Sequence, residues 1–155
     1  MFQIDLLMVG KNKEKWVEAA IAHYLLLLKK YSTLKITYIP DIKNAGNLTA
    51  KELRKAEADA ISKHIRSGYQ IALADKGKAY DSIQFGAFLQ QLMQKTGRVE
   101  FIIGGIFGLD DSILQKSKQI LSLSPMTFSH QLARPILLEQ LYRGFSIMAG
   151  TGYHK

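Results

Sequence analysis

Two short stretches, "QIALA" (70–74) and "VEFII" (99–103), are near-continuous apolar runs rather than alternating ones. Strands of that kind are buried on both faces, the condition of a parallel sheet covered by helices on either side. The rest of the chain is read against that constraint. "FQIDLLMV" (2–9) is a first strand closed by Gly10, after which Trp16, Ala19, Ala20, His23, Tyr24, Leu27 and Leu28 recur at helical spacing to about Lys30. "LKITYIP" (34–40) is a second strand stopped by Pro40, and Thr49 with Glu52 makes a capping box opening a charged helix to about Arg66. After the third strand "DKGKAYDS" reads as a turn, with Asp81 or Ser82 capping a helix to Thr96 and Gly97 as its stop. A short helix after Asp110 and Asp111, a brief strand "ILSLS" (120–124) and a final helix from about Gln131 to Ala149 complete the order. This alternation predicts an α/β fold, a parallel-sheet α/β sandwich, in a single domain over residues 1–155.

Charge narrows the partners. The chain carries 21 Lys and Arg against 13 Asp and Glu, a net charge of +8, which favours a polyanion over an acidic protein surface. The excess is spread along the chain, so nucleic acid is expected to meet a folded surface rather than a basic tail. There is no cysteine, which excludes disulfide scaffolds, thiolate zinc sites and cysteine nucleophiles. The four histidines show no H-E-x-x-H or comparable spacing, so no metal is expected. Asp5 inside the first apolar stretch, with no basic leader before it, argues against a signal peptide. The longest unbroken apolar run, Tyr24 to Leu28, is too short for a membrane span, and a soluble, cytoplasmic protein is expected.

Ligands of parallel α/β sheets gather where the chain leaves the C-terminal ends of strands. Three exits stand out: Leu73 to Lys78, Gly104 to Leu109, and Leu123 to Phe128. Glycines there let backbone approach a ligand closely. None is a familiar nucleotide motif: "GGIFG" lacks G-x-G-x-x-G spacing, and in "DKGKAY" Ala79 stands where a P-loop needs Ser or Thr. The absence of a G-x-S-x-G elbow argues against an α/β hydrolase. The final helix is apolar nearly all round, through Leu132, Ile136, Leu137, Leu138, Leu141, Tyr142, Phe145, Ile147 and Met148, which suggests burial in a subunit interface. Its pairs His130 with Arg134 and Glu139 with Arg143 each share a face; Glu139 and Arg143 read equally as an ion pair or as site residues. Arg134 reads either as a site residue or as a solvated end of the first turn, where Pro135 is tolerated. The closing "GTGYHK" offers stacking, proton handling and anion contact, or else a loose terminus. On residue types alone, an enzyme, a non-enzymatic RNA-binding module and a small α/β metabolite-binding domain all remain open.

"LLMVGKNKEKW", "FIIGGIFGL" and "LSLSPMTFSHQLARPILLEQLYRGFSIMAGTGYHK" carry a specific pattern, within a similarity that spans essentially the whole chain. In them the sequence resembles the RlmH family of 23S rRNA (pseudouridine-N3)-methyltransferases, of the SPOUT class. The resemblance implies a C-terminal trefoil knot, a feature nearly absent from proteins. It also implies a homodimer that uses S-adenosylmethionine to methylate N3 of a pseudouridine in 23S rRNA of the assembled ribosome. It places the cofactor on Leu73, Gly104, Gly105, Leu123, Ser124, Pro125, Met126, Thr127 and Phe128, the three exits already marked. Tyr153, His154 and Arg143 become candidate catalytic residues, the tail lying at the cofactor pocket and meeting the partner subunit, and Lys155, Arg134 and His130 candidate RNA contacts. Histidine is suited to accept the N3 proton, since its side-chain type titrates near neutral pH. Some relatives end on Arg where this chain has Lys155, which weakens a bidentate role for that position.

Overall fold

The computed structural model describes residues 1–66 and 68–155. In chain order the elements are β1 (Phe2–Val9), α1 (Lys15–Leu28), β2 (Ser32–Ile39), α2 (Ala50–Ser62), β3 (Gln70–Ala79), α3 (Ser82–Lys95), β4 (Arg98–Ile103), α4 (Asp111–Lys116), β5 (Gln119–Ser122) and α5 (His130–Met148), with a short 3₁₀ turn at Ala45–Asn47. The five strands form one sheet in the order β2-β1-β4-β3-β5, and every pairing is parallel. Strand β1, between β2 and β4, has Leu6 opposite Ile36 on one side and Phe101 on the other. The period of two divides each strand between two cores. Ile4, Leu6, Met8, Ile71, Val99, Phe101 and Ile103 meet α1, α3 and α5 on one face. Leu7, Val9, Ala72 and Ile102 meet α2 and α4 on the other. The apolar runs are therefore buried on both faces, as a covered parallel sheet requires.

Several local expectations change. The helix opened by the Thr49–Glu52 capping box stops at Ser62 rather than near Arg66. Asp81, not Ser82, caps α3, in a second capping box with Gln84. Gly97 is not among the residues with positive φ, and Thr96 ends the helix in an extended conformation, so no left-handed stop is used. The last strand begins and ends earlier than "ILSLS", at Gln119–Ser122. Helix α5 starts at His130, which puts Pro135 beyond its first turn.

The largest local departure is the segment read as a turn after β3. Strand β3 continues through it: Leu73 and Lys78 both stand opposite Leu121, and residues 74–77 bulge out of the ladder between them. Gly77 makes the return possible, because a Cβ there would lie 2.7 Å from backbone atoms of Ile120 and Leu121. Helix α5 also differs in meaning. Its apolar residues Leu137, Leu138, Leu141, Tyr142 and Phe145 are buried within the chain, against α1, α3 and the sheet. Its all-round hydrophobicity is satisfied by internal packing and needs no second subunit. The buried side of α1 is Val17, Ile21 and Leu28, whereas Trp16, expected on the apolar stripe, is 55% exposed. Adjacent stripes of α1 are both apolar, so spacing fits either, and packing on α5 selects the second.

Candidate cofactor pocket and C-terminal tail

The three strand exits converge at one edge of the sheet around a cavity of about 1060 Å³. Leu73, Gly104, Gly105, Leu123, Ser124, Met126, Thr127 and Phe128 all line it. Pro125 does not, so the closing loop presents its neighbours rather than the proline ring. The rim carries exposed Ile106, Phe107 and Met126. Ser124 Oγ accepts from the Met126 amide at 3.0 Å, and Thr127 Oγ1 donates to Asp75 Oδ2 at 2.7 Å. The second bond ties the β5 exit to the bulge of β3 across the opening.

The glycine loop is shaped by the protein's own atoms. A Cβ on Gly104 would lie 2.7 Å from the carbonyl carbon and oxygen of Gly108, and one on Gly105 would lie 2.6 Å from Glu57 Oε1. Glu57, on α2, is nearly buried and its carboxylate accepts the Gly105 N–H. Burial pushes that carboxyl up, the amide bond opposes the shift, and nearby Asp41 adds to it. Sequence reading missed Glu57, since on α2 it is one acid among several; the close approach that singles it out is tertiary. Gly104→Ala should weaken S-adenosylmethionine binding by at least about 10-fold, because the turn to Gly108 must shift and carry the pocket floor with it. Calorimetric titration measures this, and unchanged affinity would show that the turn does not shape the pocket.

His130, at the start of α5, also lines the cavity and is half-buried. Burial, then the charges of Arg134 and Lys13, hold its imidazole below the usual histidine range. A neutral ring beside the cavity is better placed to hydrogen-bond a ligand than to attract phosphate. Arg134 departs further from expectation, for it is fully buried. Its Nη2 donates to the Val9 carbonyl at 2.6 Å and its Nη1 to Asn12 Oδ1 at 3.0 Å. The solvated helix end and the phosphate contact expected of Arg134 are both closed to it; the side chain ties α5 to the segment after β1.

The tail lies elsewhere. Tyr153 packs edge-on to Tyr142 with ring centroids 4.7 Å apart, and its hydroxyl donates to Glu139 Oε1 at 3.1 Å. Arg143 forms the predicted ion pair with Glu139 at 2.6 Å, lies 4.8 Å from the Tyr153 ring centre, and contacts His154 Nδ1 at 3.2 Å. Partial burial, with hydrogen bonds to Tyr24 and Glu139, raises the Tyr153 phenol above its ordinary value and keeps it protonated. Arg143 can only donate, so a neutral His154 in this contact spends its Nδ1 lone pair on the guanidinium and carries its proton on Nε2. Lys155 is exposed. None of Arg143, Tyr153, His154 and Lys155 lines the cavity of the same chain, so a place for the tail at a cofactor pocket is left to the pocket of a partner subunit.

A parallel sheet with a ligand-sized cavity at its C-terminal edge defines an α/β ligand-binding enzyme fold, and the sequence matches the family model described as "Predicted SPOUT methyltransferase" over residues 2–154. The chain belongs to the SPOUT methyltransferase family. Relatives bearing the name "Ribosomal RNA large subunit methyltransferase H" include proteins of Bifidobacterium adolescentis, 43% identical over 99% of each chain, and Alkaliphilus oremlandii, 42% identical over 98% of this chain and 99% of the other. That of Pseudothermotoga lettingae is 38% identical over 98% and 99%. In fold the chain is similar to a probable methylase family protein from Haemophilus influenzae Rd KW20, with a TM-score of 0.52 and 12% identity over 99% of this chain and 70% of that one.

Proposed function

We propose that residues 1–155 form a single cytoplasmic methyltransferase domain acting on 23S rRNA of the assembled ribosome, methylating N3 of a pseudouridine with S-adenosylmethionine. The observation that carries this reading is the convergence of all three strand exits on one cavity, at the edge where parallel sheets bind ligands. Its volume suits a nucleoside bearing an amino-acid chain. Leu73, Leu121, Leu123 and Phe128 offer an apolar bed for a purine, the loop backbones offer donors and acceptors, and Asp75, Asp110 and Asp111 with Lys51, Arg54 and Lys76 offer partners to both charges of a zwitterionic ligand. When bound, S-adenosylmethionine supplies an electrophilic methyl group.

The chain's own residues then have to receive the base and its proton. The pseudouridine N3–H must lose that proton as N3 becomes the nucleophile. His154 serves as base only once its Nδ1 is released from Arg143, and Arg143 is then free to stabilise negative charge. Tyr153, held protonated, stacks or donates rather than accepting a proton. Since the tail lies away from its own cavity, the reading assigns it to the cavity of a second copy in a homodimer. Leu26 of α1, 66% exposed, offers apolar surface for that association. The trefoil threading of the C-terminal third belongs to this reading through the family.

Titration of S-adenosylmethionine into the protein should give saturable binding with about one site per chain or per dimer. No binding, alone or with ribosomes present, would favour a non-enzymatic RNA-binding module.

A further inference from the structure

The segment between β1 and α1 carries groups that the cofactor pocket does not use. Lys11, Lys13 and Lys15 are exposed, and among the described residues none of them forms an ion pair. Trp16, the only tryptophan of the chain, follows them at 55% exposure. An indole left that open in the first turn of α1, beside charged neighbours, gains little from the core. Glu14 is the one acid among residues 11–16, leaving the stretch at +2. The loop is nonetheless fixed. The Lys13 amide donates to Gln131 Oε1 at 3.0 Å, and Gln131 Nε2 donates to the Lys11 carbonyl at 3.2 Å. Asn12 is held by Arg134 and in turn donates to the Tyr38 hydroxyl at 2.9 Å. Gln131 directly follows His130, which lines the cavity, so the backbone that carries Lys11 and Lys13 is fixed to the residue next to the cavity wall, and Lys15 and Trp16 follow it directly in sequence.

We infer that residues 11–16 are an RNA-gripping platform: Lys11, Lys13 and Lys15 take phosphates, and Trp16 stacks on an unpaired base flanking the one delivered to the cavity. Charge complementarity selects the occupant, because a polyanion with exposed aromatic faces meets both halves of the patch at once. A protein partner would have to match three unpaired cations with acids. The inference rests on the rRNA reading and adds to it the surface that holds the substrate strand. Trp16 lies near the start of α1 and Leu26 near its end, about 15 Å apart at helical rise, so the platform and the apolar surface assigned to dimerisation are separate.

The test is co-sedimentation with ribosomes lacking the methyl mark, over a range of salt, for the parent chain, Trp16→Ala, and the triple variant Lys11→Gln, Lys13→Gln, Lys15→Gln. Each protein is also titrated with S-adenosylmethionine. Binding of the triple variant should fall less steeply with salt, its log–log slope smaller by about 2, since a single-strand phosphate contact contributes about 0.7. Trp16→Ala should bind about 10-fold more weakly with its salt slope unchanged, the loss expected of one stacked base. Cofactor affinity should be unaltered in both. Parent-like sedimentation of both variants at every salt concentration overturns the platform and leaves the methyltransferase reading standing. A parent that binds neither ribosomes nor cofactor overturns both. Acrylamide quenching of the lone indole closes the remaining route: a free protein in which Trp16 is protected, and whose Trp16→Ala variant turns monomeric in light scattering, assigns the residue to a second copy and overturns the platform.

Discussion

A chain ending at Gly152 is expected to keep its fold and its cofactor affinity while losing methyl transfer by at least about 10²-fold, the contribution typical of a positioned acid or base. The fold should survive because Tyr153, His154 and Lys155 are all exposed, and their attachments are peripheral: hydroxyl bonds of Tyr153 with Glu139 and Tyr24, ring contacts with Tyr142 and Arg143, and the Arg143–His154 contact. Such contacts are worth on the order of 1 kcal/mol each. Cofactor affinity should survive because the cavity walls are built by the three strand exits of each chain, and the tail, delivered by a second copy, is assigned to the base rather than to the cofactor. His154→Ala separates the histidine from the rest. If His154 is the base, it should reproduce most of the loss, whereas Tyr153→Phe should lose only the hydroxyl's bonds with Glu139 and Tyr24 and cost a few-fold. Mixing a truncated chain with a chain carrying Gly104→Ala tests the two-copy site directly. Activity should reappear in the mixture, since one subunit then has an intact tail and the other an intact pocket. Full turnover by the truncated chain alone would refute the tail's role, and a mixture as inactive as its parts would refute its delivery to a second copy.

The strands and caps were legible in the sequence because each rests on a local or nearly local cause. Continuous apolar runs follow from burial on both faces, and Thr49 with Glu52 satisfies helix-end amides within one turn. The three ligand loops were legible for the same reason, being the ends of those strands. What escaped was set by distant packing. The sequence Asp75-Lys-Gly-Lys78 has turn composition, yet β5 draws its end into the sheet, with Gly77 against the backbone of Ile120 and Leu121. Trp16 looked like core because aromatic residues at helical spacing usually are, but α1 turns another apolar stripe to α5. Glu57 had no local mark, because what distinguishes it is a glycine 48 positions away in the chain. The tail's residue types were suggestive, whereas its distance from its own cavity was invisible in spacing. The Glu139–Arg143 pair, one helical turn apart, was legible as a pair, and the structure shows it also anchors the tail.

Arg134 is where residue statistics misled most, and it carries the largest stability prediction. Arginine is rarely buried without a partner, yet this side chain has no exposed surface, its Nε lacks a hydrogen-bond partner among the described residues, and its two terminal nitrogens bind Val9 and Asn12. Burial pulls the guanidinium below its ordinary value, though arginine stays charged. Arg134→Ala removes one bond to the end of β1 and one to the segment after it and opens a cavity, so it should destabilise the chain by about 3 kcal/mol or more, lowering the melting temperature by about 10 °C. Arg134→Met, which refills the space and removes a buried charge, should lose less than half as much, since replacing buried charge with well-packed apolar volume is often close to neutral. The two variants separate structural from RNA-binding roles. If the guanidinium were an RNA contact, both would melt like the parent and lose ribosome affinity equally, with a shallower salt slope. If it is the strut described, Met restores much of the stability while leaving Asn12 with only its bond to the Tyr38 hydroxyl, which loosens the loop that carries Lys11 and Lys13 ahead of Trp16. Ribosome binding by the methionine variant should then weaken with its salt slope preserved, because every phosphate-binding lysine is still present.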